Sequence, residues 1–285
     1  MRPATSAPAR TAITSTERGS GDGAVARLGR LRDGELEVIG RLLGSSNNAM
    51  VVRVWPRSPA SEGAAAQAGA EARAIGRPIE DGDLLAVWKP TIGERPLFDF
   101  PIGTLTRREV AAYLVSETTG WGIVPPTVLR EGPHGEGMLQ EWIDADPDAD
   151  VVALVNEDDP RLRRVATFDA VVNNTDRKAG HLLPVPGGHL FAVDHGVTFS
   201  SEPKLRTVLW AWEGEPFDGE ELAGLSRVRD ALGKGGVPGP LAVALSELLS
   251  LEEIEATRAR VGALLETGRF PGPNPDWPAV PWPPY

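Results

Sequence analysis

Apolar residues in the first half of the chain fall mostly into short runs that end at small polar or turn-forming residues, a pattern typical of strands. One segment, 104–119, instead repeats its apolar positions at helical spacing. Thr104 or Thr106 is suited to cap the start of this helix, and Gly120 to end it. The strands are predicted at 35–43, 49–55, 84–90, 127–130 and 138–143.

Helical spacing dominates the second half of the chain, which an acidic, breaker-rich stretch at 144–150 separates from the first. Two short apolar runs, 181–185 and 189–193, flank a Pro-Gly-Gly turn and predict a hairpin between the helices. The fold class that follows is α+β, with a strand-rich N-lobe that carries one helix and a mainly helical C-lobe. The C-lobe helices are expected at 160–173, 218–232 and 239–266, the last either continuous or broken near Ser250.

Composition divides the chain into four segments. Residues 1–30 are rich in Ala, Thr, Ser, Gly and Arg without a period, which predicts disorder. The N-lobe, 31–143, contains an Ala/Gly/Glu-rich insert at 57–82 that is expected to be a flexible loop. The C-lobe follows at 144–269. The Pro- and Trp-rich tail, 270–285, is expected either to dock as an extended strap or to stay mobile.

Charge and cysteine content exclude several classes of function. The 285 residues contain no cysteine, so thiol nucleophiles, disulfides and thiolate metal sites are excluded. A net charge of −11 weighs against nucleic acid and against stable attachment to anionic membranes. No apolar run approaches the roughly 18 residues of a membrane span, and no secretory signal is visible, so a cytoplasmic location is expected.

Two acids of the C-lobe are the strongest candidates for chemistry. Asp176 lies in a polar loop behind an apolar helix, where a carboxylate can orient a hydroxyl or accept its proton. Lys178 is near enough in sequence to neutralise charge on a transferred phosphoryl group. Asp194 ends an apolar strand and can give Mg²⁺ a hard oxygen ligand. The structural alternatives are a helix-ending Asx turn at 176 and a turn-capping aspartate at 194.

Candidates in the N-lobe are weaker. Lys89 ends an apolar strand, where a lysine seldom points inward unless an anion meets it; a side chain that reaches solvent is the alternative. The anion can be Glu109 or a nucleotide phosphate, although a first-turn glutamate is often explained by the helix dipole alone. Ser45 and Ser46 lie in a turn that can cover phosphates through backbone N–H groups and hydroxyls, but a plain hairpin turn explains them nearly as well.

Residues 168–198 resemble the catalytic core of the phosphatidylinositol 3-/4-kinase superfamily, most closely its type II phosphatidylinositol 4-kinases. The resemblance lies in an apolar helix, the sequence Asn-Thr-Asp-Arg, and a hairpin that leads to Asp-x-Gly at 194–196. The segment 108–114 is similar to the helix that bears that superfamily's lysine-pairing glutamate. The chain also resembles, more distantly, HipA-type kinases, and it is similar to a bacterial, actinobacterial-type family of kinase-like proteins.

This resemblance implies a two-lobed, protein-kinase-like (lipid-kinase-like) fold that uses ATP with Mg²⁺ or Mn²⁺. It implies Lys89 on the phosphates with Glu109 as its partner, Asp176 as the catalytic acid and Asp194 as a metal ligand. Gln140 and Trp142 then fall at the adenine-contacting hinge between the lobes.

The chain departs from the family pattern at His181, which stands where the family has a metal-holding Asn. Imidazole is a poorer ligand for Mg²⁺ than for Mn²⁺ or other transition ions. His181 therefore shifts the metal preference, lies beside a one-metal site, or marks weakened catalysis. The segment 198–217 has no clear counterpart of the part of lipid kinases that reads the headgroup, which weighs against a lipid acceptor.

Three functions follow as hypotheses. The leading one is an ATP-dependent phosphotransferase whose acceptor is a soluble polyol or sugar, or a protein Ser/Thr. The second is a nucleotide-binding pseudokinase that acts as a regulatory module. The third is a scaffold without a nucleotide site, whose Trp/Pro tail binds a partner.

Overall fold

A computed structural model of the protein describes residues 20–42, 48–57 and 83–285. The helices with more than one turn are α1 (Ser20–Asp33), α2 (Leu105–Thr119), α4 (Pro160–Val172), α5 (Gly219–Leu232), α6 (Pro240–Ser246) and α7 (Leu251–Thr267), and a single turn, α3, spans Val151–Leu154. The strands are β1 (Glu35–Arg41), β2 (Met50–Trp55), β3 (Leu84–Pro90), β4 (Thr127–Gly132), β5 (Gly135–Glu141), β6 (Leu182–Pro184), β7 (Leu190–Ala192), β8 (Gly233–Lys234) and β9 (Val237–Pro238).

The first lobe is built on one antiparallel sheet with the strand order β1-β2-β3-β5-β4. In its register Val52 pairs with Ala86, and Trp88 pairs with Leu139. Because side chains alternate between the faces of a sheet, these four share one face, which is fully buried. Lys89 follows Trp88 and therefore belongs to the opposite face.

Helix α1 covers the apolar face of this sheet. Leu31 of the helix is completely buried in one cluster with the apolar residues of β2, β3 and β5. The side chain of Arg130 on β4 donates to the carbonyl oxygens of Leu31 and Gly34 and so ties the end of the helix to the sheet. The N-lobe thus has two helices where the sequence predicts one. The expectation of disorder is wrong for residues 20–30, while 1–19 lie outside the described residues.

The second lobe is helical and has its own core, to which α2, α4, α5, α6 and α7 all contribute buried apolar residues. Helix α2 contacts β4 and β5 of the sheet and packs along α5, and its buried apolar residues belong to the core of the second lobe. Helix α4 begins at its cap Asp159 and ends at Asn173, whose left-handed backbone (φ 53°) turns the chain out of the helix. That turn starts the loop that carries Asp176.

These elements confirm the predicted α+β, two-lobed architecture with a strand-rich first lobe and a mainly helical second lobe. The predicted hairpin is present as β6 and β7. The turn that contains Ser45 and Ser46, and all but the first residue of the insert at 57–82, lie outside the described residues. No helix in the described ranges has the length and apolarity to cross a bilayer.

Candidate functional site

Lys89 lies at the centre of a charged cluster between the lobes. Its Nζ is 2.6 Å from Oε1 of Glu109 and 2.9 Å from Oδ1 of Asp194. The lysine comes from β3, the glutamate from α2 and the aspartate from the loop after β7. The expected pairing of Lys89 with Glu109 is therefore present, and the lysine also reaches the C-lobe.

Glu109 is held in place from both sides. Its side chain is only 2% exposed, so its charge requires partners. Lys89 meets one carboxylate oxygen, and the backbone N–H of His195 donates to the other at 2.8 Å. The helix start that delivers Glu109 is fixed by Glu94, which accepts from the backbone N–H of Thr106, while Thr104 makes no side-chain cap bond.

Asp194 occupies a left-handed backbone conformation (φ 63°), which aspartate tolerates better than most residues. Nearly half of its side chain, 47%, is exposed. The positive charge of Lys89 holds the pKa of Asp194 well below its usual range. Burial opposes the charge on Lys89, but Asp194 and Glu109 outweigh that effect and raise the lysine pKa. Lys89 and Asp194 are therefore both charged at neutral pH.

His181 is brought to Asp194 by the hairpin. Leu182 pairs with Ala192, and the N–H of Val193 donates to the carbonyl of His181, so the two segments run side by side. Nε2 of His181 lies 3.5 Å from Oδ2 of Asp194. Burial lowers the pKa of His181 to about 4, more than the nearby carboxylate raises it. The imidazole is neutral at neutral pH and can act as a metal ligand.

Lys89, Glu109, Asp194 and His181 together form what we call the cleft cluster. Its donors toward a metal are one carboxylate oxygen and one imidazole nitrogen, and the described residues contain no set of three or more metal-binding side chains. Such a site fits a divalent ion that takes its remaining ligands from nucleotide phosphates and water.

Asp176 lies in the loop that follows α4. Its backbone N–H donates to the side chain of Asn174, an Asx turn that fixes the start of the loop. Its carboxylate lies between two cations, with Nζ of Lys178 at 3.2 Å and Nη2 of Arg206 at 3.5 Å. Burial raises the pKa of Asp176, and Lys178 and Arg206 oppose that shift. The Asx turn that the sequence offers as the structural alternative is therefore present, and a chemical role for Asp176 stays a prediction.

A second charged cluster lies beneath this loop, and sequence reasoning missed it. Arg177 donates from Nε and Nη2 to both carboxylate oxygens of Asp169, each at 2.9 Å, and both side chains are completely buried. Nη2 of Arg177 is also 2.6 Å from Nε2 of His195, which must accept because a guanidinium only donates. We call Asp169, Arg177 and His195 the support cluster. An aspartate inside the apolar sequence Phe-Asp-Ala-Val-Val was the available signal.

The two residues expected at the hinge form hydrogen bonds with the N-lobe and, in the case of Trp142, with the first residue of the C-lobe. Gln140 is buried and donates to the hydroxyl of Thr127 at 2.9 Å. The ring N–H of Trp142 donates to Asp144, and its backbone N–H donates to Leu85 on β3. Their expected contact with a nucleotide stays a prediction.

Comparison with known proteins identifies a relative along nearly the whole chain. Protein Rv2133c of Mycobacterium tuberculosis (strain ATCC 25618 / H37Rv) is 39% identical over 290 residues, which cover 90% of this chain and 94% of the relative. No protein-family model matches the sequence.

Two solved structures align with most of the chain at low identity. The Golgi casein kinase gives a TM-score of 0.46 at 13% identity, covering 87% of this chain and 75% of that one. The Helicobacter pylori proinflammatory kinase CtkA gives 0.45 at 10% identity, covering 84% and 94%. At 39% identity over nearly the full length of both chains, the sequence places this protein in the same family as the mycobacterial protein Rv2133c.

Proposed function

We propose that the protein is an ATP-dependent phosphotransferase that transfers the γ-phosphoryl group of ATP to an alcohol. The observation that carries the proposal is the position of Lys89, which joins a buried glutamate of the N-lobe to a half-exposed aspartate of the C-lobe. A lysine fixed in this way is a point charge for the α- and β-phosphates of a nucleotide between the lobes.

The loop that carries Asp176 supplies groups for the transfer itself. In the reaction the acceptor oxygen forms a bond to the γ-phosphorus, the bond between the γ-phosphorus and the β–γ bridging oxygen breaks, and ADP leaves. Asp176 orients the acceptor hydroxyl and takes its proton. Lys178, 3.2 Å from that carboxylate, lies where it can neutralise charge on the transferred group.

A divalent cation completes the proposed site. Asp194 and His181 are the residues that would hold it, and when bound it would neutralise charge on the phosphates. Because Lys89 now pairs with Oδ1 of Asp194, nucleotide binding should draw the lysine toward the phosphates and free that carboxylate. The nitrogen ligand favours Mn²⁺ relative to Mg²⁺ in this site.

The acceptor we favour is a soluble polyol or sugar, or the hydroxyl of a protein Ser or Thr. The net charge of −11 weighs against an anionic membrane surface and against nucleic acid. We also propose that the protein acts in the cytoplasm and that it belongs to the phosphatidylinositol 3-/4-kinase superfamily. The resemblance at 168–198 supports the superfamily assignment.

A pseudokinase is the second candidate, and His181 favours it, since the family that the chain resembles has a metal-holding Asn at this position. The neutral His181 stands beside Asp194, and Lys89 already satisfies one oxygen of that carboxylate, so the residues are stable together without a metal. A pseudokinase would bind ATP and consume none of it with either Mg²⁺ or Mn²⁺.

Substitution of the proposed catalytic acid separates these two candidates. Asp176→Asn keeps the size of the side chain but removes the base, so consumption of ATP should fall by about 100-fold or more while ATP still shifts the thermal unfolding transition. Asp148→Asn, at an exposed aspartate of another loop, is the matched control. Undiminished turnover in Asp176→Asn contradicts the assignment of the acid, and ATP binding without turnover in the wild type favours the pseudokinase.

A further inference from the structure

The C-terminal tail is docked on the second lobe, beside the loop that carries Asp176. The backbone N–H of Ala179 donates to the carbonyl of Pro284 at 3.0 Å. The carbonyl of Ala279 accepts from the backbone N–H of Thr207 at 3.0 Å and from the ring N–H of Trp210 at 2.9 Å. Of the two expectations for this segment, the docked strap is the one that the structure shows. We call residues 274–285 the strap.

The surface under the strap is made of the two segments that also surround Asp176. Ala179 directly follows Lys178, and Thr207 directly follows Arg206, and the side chains of both preceding residues flank the Asp176 carboxylate. The two segments also bond to each other, because the N–H of Arg177 donates to the carbonyl of Arg206. The strap thus bonds to the same two segments that place Lys178 and Arg206 beside Asp176.

The contacts that hold the strap are those that bind a polypeptide main chain. Three protein N–H groups donate to two strap carbonyls, and the amide of Asn274 donates to the carbonyl of Pro203. Contacts of this kind are made to the backbone of the strap and leave its side chains largely unread. The prolines of the strap restrict its backbone before docking, which lowers the entropy lost on docking.

The strap is held by few side chains. Trp277 is half-buried with its ring 5.1 Å from Nζ of Lys204, and Pro281 is buried. Trp282 and Tyr285 are 89% and 67% exposed and so add little to docking. A segment with few buried contacts opens at a lower free energy than the core it rests on.

We propose that the surface formed by residues 177–180 and 203–210 is a binding site for a polypeptide segment held by its main-chain carbonyls, and that the strap fills this site in cis. The inference rests on the proposed function in one respect. The polypeptide that displaces the strap would belong to a protein substrate whose Ser or Thr accepts the phosphoryl group. A Ser or Thr on such a chain would lie beside Asp176, whereas a small polyol would not require the strap to leave.

Hydrogen exchange on the wild-type chain tests whether the strap opens. The amides of Ala179 and Thr207, which donate to strap carbonyls, should exchange at least about tenfold faster than buried amides of α4, because strap opening does not require global unfolding. Exchange of these two amides only at the rate of global unfolding overturns the proposal.

A peptide with the sequence of residues 274–285, carrying a fluorophore, tests the site itself. In the full-length chain, Trp277→Ala with Pro281→Gly removes the two side chains that hold the strap but leaves the surface below it intact. This variant should bind the peptide at least about tenfold more tightly than the wild type, because the competing strap is released. Trp282→Ala, at the most exposed strap residue, is the control and should behave as the wild type does.

Equal peptide affinity in the double variant, the control and the wild type overturns the proposal. If the double variant lacks a cooperative thermal transition, Trp277→Ala alone is measured against the same criterion. None of these measurements contains ATP, so failure of the polypeptide site and failure of the phosphotransferase assignment are seen separately.

Discussion

The cleft cluster and the support cluster combine the same kinds of group, cation, carboxylate and histidine, on two sides of one loop. In the support cluster, Asp169 and Arg177 have no exposed side-chain surface. In the cleft cluster, Asp194 keeps 47% of its side chain exposed, and its charge is held by a lysine that also serves Glu109. Asp169 and Arg177 are buried and bond to each other, whereas the exposed carboxylate of Asp194 is accessible to an incoming ligand.

The difference assigns the two clusters to different tasks. A buried, bidentate ion pair is costly to break and orients what is attached to it, here the loop that carries Asp176. Under the proposed function, the lysine shared by the two lobes gives up its bond to Asp194 when a phosphate binds. Substitutions in the support cluster should therefore change stability, and substitutions in the cleft cluster should change binding and turnover.

The largest expected effect comes from breaking the support cluster. Arg177→Met leaves the Asp169 carboxylate buried without its cation, so the free energy of unfolding should fall by about 3–5 kcal/mol. Chemical denaturation followed by circular dichroism measures this. Arg229→Met, at a half-exposed surface pair with Asp230, is the control and should change stability by less than about 1 kcal/mol. Comparable losses in the two variants would contradict the assignment of Arg177 to a structural task.

The next largest effect is a loss of stability in acid. His181 has a pKa near 4 in the folded protein and an ordinary value near 6.5 in the unfolded chain, so the unfolded state binds more protons between these values. The free energy of unfolding is therefore highest above pH 6.5. It falls by up to about 3 kcal/mol in metal-free buffer as the pH decreases toward 4.

Burial and the neighbouring Arg177 also depress the pKa of His195, which adds to the acid sensitivity in the same direction. His181→Asn removes the contribution of the cleft cluster to this acid sensitivity. The free energy of unfolding of the variant should therefore depend less steeply on pH between pH 4 and 6.5 than that of the wild type. Superimposable pH profiles for the variant and the wild type would show that His181 is not buried as described.

A smaller effect is expected when the cleft cluster loses one charge. Glu109→Gln keeps an oxygen to accept the N–H of His195 but no longer fixes Lys89 by charge. The affinity for ATP with Mn²⁺ should fall by about tenfold, which corresponds to about 1.4 kcal/mol. Isothermal titration calorimetry measures it, with the exposed Glu252→Gln as the control. An unchanged affinity would separate Glu109 from nucleotide binding.

Sequence reasoning succeeded where the signal was local. Short apolar runs predicted the strands, and the hairpin between His181 and Asp194 followed from two runs and a Pro-Gly-Gly turn. The pairing of Lys89 with Glu109 was predicted because a lysine on a buried strand needs an anion and the next helix offers one. The approach of Asp194 to Lys89, 105 residues earlier, depends on how the two lobes meet and has no local signal.

Sequence reasoning did not predict other features, for related reasons. Helix α1 has only a weak apolar stripe, with Leu28 and Leu31 set among Gly, Ala and Arg, and it is stabilised by packing on the sheet rather than by its own propensity. The support cluster forms between residues whose types are common on surfaces, and only the apolar surroundings of Asp169 hinted at it. The sequence does not decide between a docked and a mobile strap, because prolines fit both states.

The most direct test of the proposed site is the binding of ATP in the presence of a divalent cation to the wild type and to Asp194→Asn. Asparagine tolerates the same left-handed backbone, so the variant changes the charge with little strain. The wild type should show an upward thermal shift with ATP that Mn²⁺ or Mg²⁺ strengthens, and the variant should lose the contribution of the metal. Absence of any shift in the wild type with either metal, or an identical metal effect in the variant, would contradict a phosphotransfer site at Lys89, Glu109 and Asp194.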